Sequence, residues 1–176
     1  MNLSKNNIKL RALEPEDLDF LFEVENKEEI WHISGTQVPF SRYILKQYIA
    51  NSHIDIYEAK QLRLVIEYKN KPIGFIDLFD FNPLHKRAGI GIVIIKSQQN
   101  NGFATTALKI LIKYAFSILN LHQLYANIES NNITSKKLFT NVGFELVGVK
   151  KEWNFTPLGY RDEELYQLIN KNTLEH

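Results

Sequence analysis

Without a single cysteine to draw on, the residues best placed to do chemistry lie in one run, Gln99-Asn100-Asn101-Gly102-Phe103-Ala104-Thr105. An apolar stretch ends just before it. A helical pattern follows, with Ala104, Leu108, Leu111, Ile112, Ala115 and Leu119 on one face. A helix that begins at the end of a strand offers backbone N–H groups with no intrahelical partner, which is a natural seat for a phosphate. Gly102 lets the backbone approach an oxyanion, and small Ala104 keeps the first turn uncrowded. Asn100 and Asn101 tolerate the left-handed conformations that turn successive N–H groups inward. The same residues also fit a plain tight turn before a helix. No lysine plus Ser/Thr follows the glycine, so the run is not a P-loop, and the G-x-G-x-x-G fingerprint is absent.

Other chemistries are narrowed by composition. Lack of cysteine removes disulfides, thiolate metal sites and a cysteine nucleophile together. The histidines His32, His53, His85, His122 and His176 show neither HxxxH nor HxH spacing, so no metal site is expected. A formal net charge of +1 gives no electrostatic case for nucleic acid or an anionic membrane as partner. Hydrophobic residues at 44% and charged residues at 23% are ordinary for a globular chain. No run of about 18 apolar residues exists, and MNLSKNNIKL lacks a signal-peptide core, so a cytoplasmic location is expected. One domain over residues 1–173 is expected, with 174–176 a remnant of an expression tag.

The elements that must position the turn can be read from period and punctuation. Ile8 to Ala12 alternates as a first strand, and Pro15 with its neighbouring acids opens a helix carrying Leu18, Leu21 and Phe22 on one face. From Glu14 to Glu29 the chain carries eight acids against one lysine, Lys27, which is either a solvated face or a patch for a polycation. Ser41 caps a second helix with Ile44, Leu45, Tyr48 and Ile49 on one face. LRLVIEY, IGFIDLFDF and Lys86 to Ile95 form an antiparallel meander. After the polar turn and its helix, Leu124 to Ile128 is a strand reached by crossover, hence parallel to the strand before the helix. Asn132 to Asn141 is a shorter helix, capped by Asn132 or Thr134 and ended by Gly143. Two strands, Phe144 to Phe155 and Tyr160 to Ile169, close the order βααβββαβαββ of a mixed α/β (α+β) fold.

Three blocks of this sequence resemble the GNAT superfamily of N-acetyltransferases, and within it the spermidine N-acetyltransferase and ribosomal-protein N-terminal acetyltransferase branch. They are KLRALEPEDLDFLFEVEN, the turn Gln99-x-x-Gly102-x-Ala104, and Asn132-x-x-Ser135-x-x-Leu138-Phe139-x-x-x-Gly143-Phe144. The resemblance implies a mostly antiparallel sheet with flanking helices and a parallel strand pair that splays apart. It implies acetyl-CoA as cosubstrate, with the pantetheine arm along Ile92, Val93 and Ile94. The diphosphate would rest on Gln99, Asn100, Asn101, Gly102, Phe103, Ala104 and Thr105, with Asn132, Ser135 and Phe139 beside the arm. It further implies direct attack by a primary amine, a polyamine or a protein N-terminus, and a homodimer or larger homo-oligomer. A non-catalytic acyl-CoA-binding protein on the same fold is the alternative.

Two departures from the branch motivate that alternative. Phe139 stands where spermidine-type members carry the tyrosine that protonates the thiolate, and Gly89 stands where they carry a glutamate. A base must then come from elsewhere. Glu129 at the end of the crossover strand and His85 before the preceding strand are the candidates, followed by Asp77 and Glu67 on the meander. Tyr160 and Tyr166 on the last strand are candidate proton donors.

Overall fold

In the computed structural model, residues 3–28, 31 and 37–171 are described. Of the positions discussed above, Met1, Asn2, Glu29 and His32, together with residues 174–176, lie outside them. The strands are β1 (Ser4–Lys5), β2 (Ile8–Arg11), β3 (Leu62–Tyr68), β4 (Lys71–Asn82), β5 (Arg87–Ile94), β6 (Gln123–Glu129), β7 (Glu145–Thr156) and β8 (Gly159–Ile169). The helices are α1 (Leu18–Glu25), α2 (Arg42–Ala50), α3 (Ile56–Ala59), α4 (Phe103–Ser117) and α5 (Ile133–Asn141). All eight strands join one sheet in the order β1-β2-β3-β4-β5-β6-β8-β7. Every pair is antiparallel except β5 with β6, as a crossover through α4 requires. No described helix is long and apolar enough to cross a membrane.

Two elements escape the sequence-based order. β1 pairs with β2 across Asn6 and Asn7, both at positive φ, which is the conformation of a two-residue hairpin turn. α3 is a single turn capped by Asp55, whose carboxylate accepts from the N–H groups of Tyr57 and Glu58. The predicted start of the first helix is a 3-10 turn over Pro15–Asp17, closed by a capping box between Glu14 and Asp17. Ser41 caps α2 as expected, yet Ile44 stays exposed and Leu45 and Ile49 carry the burial.

Each face of the sheet has its own core. On one side Leu108, Leu111 and Ala115 of α4 and Phe139 of α5 pack on Ile66, Ile76, Leu78, Ile90, Leu124 and Ile128. On the other, Leu21 and Val24 of α1 and Leu45 and Ile49 of α2 pack on Val65 and Phe75. Side chains alternate between faces along a strand, so Val65 and Phe75 face α1 while Leu64 and Ile76 face α4.

Ion pairs pin α1 to the sheet. Arg11 on β2 holds Asp17 at 2.7 Å and Glu67 on β3 at 2.6 Å. Arg63 on β3 holds Asp77 at 2.6 Å and Glu25 of α1 at 2.5 Å. Asp19 pairs with Arg42 and Glu23 with Lys27. The acidic segment is therefore neither a bare solvated face nor an open polyanionic patch, because four of its seven described carboxylates have cationic partners.

Asp17 is 4% exposed. Burial alone would raise its pKa, but hydrogen bonds from Arg11 and the Glu14 N–H outweigh it and hold the carboxyl below its ordinary 3.8. A depressed folded-state pKa contributes stability that is complete above the ordinary value and is lost as pH falls through the folded one. Asp17→Asn should cost about 1–3 kcal/mol at pH 7. Its stability, followed by urea melts, should fall less steeply below about pH 4 than that of the parent. Equal acid slopes would show that the Arg11 pairing does not act through this charge.

Candidate active site

The parallel pair is short. β5 and β6 meet at Arg87↔Gln123, Ala88↔Leu124 and Gly89↔Tyr125, and pairing stops there. Beyond it β5 stays bonded to β4 as far as Ile94, and β6 to β8 as far as Glu129. The two strands thus separate toward their C-terminal ends, and the backbone of β5 from Ile90 to Ile94 has no ladder partner on that side.

A cleft of about 450 Å³ opens at this separation. Its floor is Ile92, Val93 and Ile94; one wall is Gln98, Gln99, Asn100, Gly102, Phe103, Ala104 and Thr105; the other is Asn132, Thr134, Ser135, Lys137, Leu138 and Asn141. Most of the expected cofactor residues therefore meet in one place. Asn101 does not join them: its side-chain amide turns back to the carbonyls of Gln98 and Gln99, at 3.2 and 3.1 Å. Phe139 does not line the cleft either. It is buried edge-on against Phe144, with ring centroids 5.1 Å apart, and Leu138 takes the wall. Gln98, Thr134, Lys137, Leu138 and Asn141 also line it, although the sequence offered Thr134 only as a cap and Leu138 only as a motif residue; the 3–4 residue spacing along α5 is the signal that groups the last four.

The turn leaves N–H groups free from Asn100 onward, whereas that of Gln99, expected in the seat, is spent on the Lys96 carbonyl at 3.3 Å. Gly102 is the N-cap of α4 at φ +75°, and no side chain caps the helix. A β-carbon at Gly102 would meet no protein atom within 4 Å, so the space above it is open. Asn100 also takes positive φ, at 62°. Gln99 spends its side chain on the strand, donating to the Ile94 carbonyl at 2.9 Å, and Phe103 anchors the helix start on Tyr68 of β3 at 4.5 Å between ring centroids. Across the cleft, Asn132 caps α5 by accepting from the Ser135 N–H at 3.0 Å. This donor set suits a diphosphate, with a free strand edge beside it for an amide-bearing arm.

The candidate acids and bases scatter. Ile128 is buried under the α4 side, so alternation places Glu129 on the opposite face, together with Tyr125 and Asn127. Glu129 is half-buried at the end of β6 and its carboxylate has no partner among the described residues. Its cross-strand neighbour Glu163 is compensated by Lys150 and by Asn154, the latter at 3.1 Å. His85 is exposed in the loop that precedes β5, whereas the cleft is at that strand's other end, so the structure does not bring it there. Asp77 and Glu67 are engaged by Arg63 and Arg11. Tyr160 is exposed against Phe155. Tyr166 is buried and donates to Glu164 at 2.8 Å; burial first, then that carboxylate, push its phenol up to about 12.

Gly89 has a packing reason. A β-carbon there would lie 2.2 Å from the Phe79 ring, which covers the strand and packs edge-on against Tyr125. Tyr125 in turn donates to Asp80 at 3.2 Å, and burial with that neighbour raises its phenol to about 12. An aromatic wall fills the space that a glutamate side chain would need.

A family model described as an acetyltransferase (GNAT) domain matches residues 7–145. The spermidine N(1)-acetyltransferase of Vibrio cholerae is 30% identical over 168 residues, covering 94% of this chain and 95% of that one. The crystal structure of spermidine N-acetyltransferase from Vibrio cholerae in complex with CoA and spermine superposes with a TM-score of 0.83 at 28% identity, over 94% of this chain and 96% of that one. A ribosomal L7/L12 alpha-N-protein acetyltransferase in complex with coenzyme A shares the fold, with a TM-score of 0.82 at 18% identity over 94% and 95% of the two chains.

Gly102→Glu tests the cradle. It forces a β-carbon onto a left-handed residue, at about 1–2 kcal/mol, and aims a carboxylate at the free N–H groups. Calorimetric titration with acetyl-CoA should show binding abolished while the circular dichroism spectrum is kept. Undiminished binding would place the phosphate seat elsewhere.

Proposed function

The chain belongs to the acetyltransferase (GNAT) domain family, whose members are acetyl-CoA-dependent N-acetyltransferases, and from that premise we propose that it acetylates a primary amine by direct attack, with a polyamine or a protein N-terminal amine as acceptor. The observation that carries this reading is the cleft at the β5–β6 separation, with the uncapped start of α4 on one side and the unpaired edge of β5 beneath.

Acetyl-CoA, when bound, supplies a thioester carbonyl open to attack and a thiolate that leaves readily. The residues of this chain do the rest by position. N–H groups of the Asn100–Thr105 turn hold the diphosphate, and the free edge of β5 at Ile92, Val93 and Ile94 aligns the arm. A β5 N–H polarises the carbonyl as an oxyanion donor. The acceptor arrives from the opposite face of the sheet, where Glu129 has no counter-ion among the described residues. An alkylamine with a pKa of about 10 reaches the site as an ammonium and must lose a proton before attack. Glu129 attracts that cation and accepts the proton. Phe139 has no hydroxyl to give to the departing thiolate, so water protonates it.

Acceptor class follows charge. Glu129 favours a cationic amine, and spermidine acetyltransferases are among the relatives that span nearly the whole chain. The ion-paired state of α1 lowers the case for that helix as a polyamine trap and keeps a protein N-terminus in contention. A cytoplasmic location and a homo-oligomer go with this reading; the Vibrio cholerae spermidine enzyme has a dodecameric structure.

Thiol release from acetyl-CoA, measured against spermidine, N-terminal peptides and aminoglycosides, should rise with at least one primary amine. Binding of acetyl-CoA without turnover across the whole panel would instead support a non-catalytic acyl-CoA-binding protein. Glu129→Gln should lower kcat/KM about 10²–10⁴-fold near pH 7 with acetyl-CoA affinity unchanged. The deficit should shrink toward pH 10, where the amine is already deprotonated. A deficit independent of pH would mean that Glu129 is not the base.

A further inference from the structure

The two adjacent lysines of α5 have opposite surroundings. Lys136 is half-buried and tied down, donating to the Ser130 carbonyl at 2.8 Å and to Glu164 at 3.1 Å. Lys137, one position on, is exposed on the face of α5 that lines the cleft, and it makes no ion pair among the described residues. Among the described residues it is the single cationic side chain lining that cleft, and no carboxylate lines it.

The charge balance shows why this matters. The turn itself contributes no cation: Gln99 occupies its first position, and α4 has neither acid nor base in its first turn. A helix start supplies only about half an elementary charge. A phosphomonoester alone carries about −1.5 to −2 at pH 7. A coenzyme bearing a diphosphate as well as a 3′-phosphate therefore needs more positive charge than the backbone of this turn provides. On the α5 wall, facing the turn, Lys137 is the residue able to supply it.

We propose that Lys137 binds a phosphate group of the coenzyme's nucleotide end, so that this cleft selects phosphorylated coenzyme A over phosphate-free pantetheine thioesters. The proposal rests on the reading that the cleft holds acetyl-CoA, and it adds the source of charge that the turn lacks. Lys136 fixes the helix against β8, and that fixation presents Lys137 to the cleft at a set height.

Calorimetric titration of the full chain with coenzyme A itself, at low and high potassium chloride, tests this without turnover. Lys137→Met should weaken binding about 5–20-fold at low salt, the range of one charge-assisted contact, and flatten the dependence of Kd on salt. Lys137→Arg should keep both. Binding of acetylpantetheine should not distinguish the parent from Lys137→Met. With 3′-dephospho-coenzyme A the loss disappears if Lys137 serves the 3′-phosphate and persists if it serves the diphosphate; either result supports a phosphate contact. Lys109→Met, on an exposed face of α4 outside the cleft, controls for a general loss of charge and should leave Kd unchanged. Parent-like affinity and salt slope in Lys137→Met would overturn the proposal and leave the cleft's assignment standing. Failure of the parent to bind coenzyme A at all would overturn both.

Discussion

Buried or half-buried backbone must find hydrogen-bond partners, and in this fold one strand is denied them. β5 is paired on one side along its length, while on the other β6 leaves after Gly89↔Tyr125. A strand edge exposed in the middle of a sheet is costly unless something completes it, and α4 and α5 close over the gap without doing so. The unfilled requirement has the form of an extended amide-bearing chain. Next to it, α4 starts at a glycine in the left-handed region with its first N–H groups uncapped. One strand separation and one uncapped helix thus define a site for an elongated ligand with an anionic end. The family assignment supplies the chemistry of that ligand, but the shape comes from unmet hydrogen bonds.

Charge is distributed to suit. On the face opposite the cofactor helices, Arg11 and Arg63 absorb Asp17, Glu67, Asp77 and Glu25, holding α1 against the sheet. Burial would depress Arg63, but its two carboxylates outweigh that and it stays charged. With those acids committed to structure, Glu129 remains near the strand separation without a counter-ion among the described residues. On the α4 side of the sheet Lys137 is its counterpart, a cation with no ion pair among those residues. Two charges of opposite sign thus stand uncompensated there on opposite faces, as the proposed reading of a cationic acceptor and an anionic donor requires.

What could be read from sequence was whatever depends on near neighbours. The strand–turn–helix around Gly102 was legible because a glycine before an amphipathic run has few other uses. The parallel pair followed from the crossover alone. The hairpin at Asn6-Asn7 carries a legible turn signal, but its first strand, Ser4–Lys5, is too short to show alternation. The pairing of the acidic segment was not legible: Arg63 is 38 residues from Glu25 and Arg11 is 56 from Glu67, and only the sheet register brings them together. The same limit placed His85 among the candidate bases, since nearness to a strand in sequence does not say which end of that strand carries the site. Lys137 escaped for the converse reason, because a lysine beside another lysine on a short helix carries no local mark of which one faces a cleft.

The two departures from the branch pattern become more coherent once packed. Gly89 is not a deletion that left a hole, because the Phe79 ring lies over it and Tyr125 locks that ring in place. Phe139 likewise exchanges a hydroxyl for a buried edge-on contact with Phe144. Both positions are filled by aromatic packing, at Gly89 beside Tyr125 and at Phe139 in the core on the α4 side. Glu129 belongs to neither contact, standing at the end of β6 beyond the Gly89↔Tyr125 pair. In the proposed reading the carboxylate absent from β5 has its substitute on β6, while the coenzyme's seat is mostly backbone with Lys137 added. The proton acceptor is then a side chain that can vary without disturbing the backbone groups of the seat.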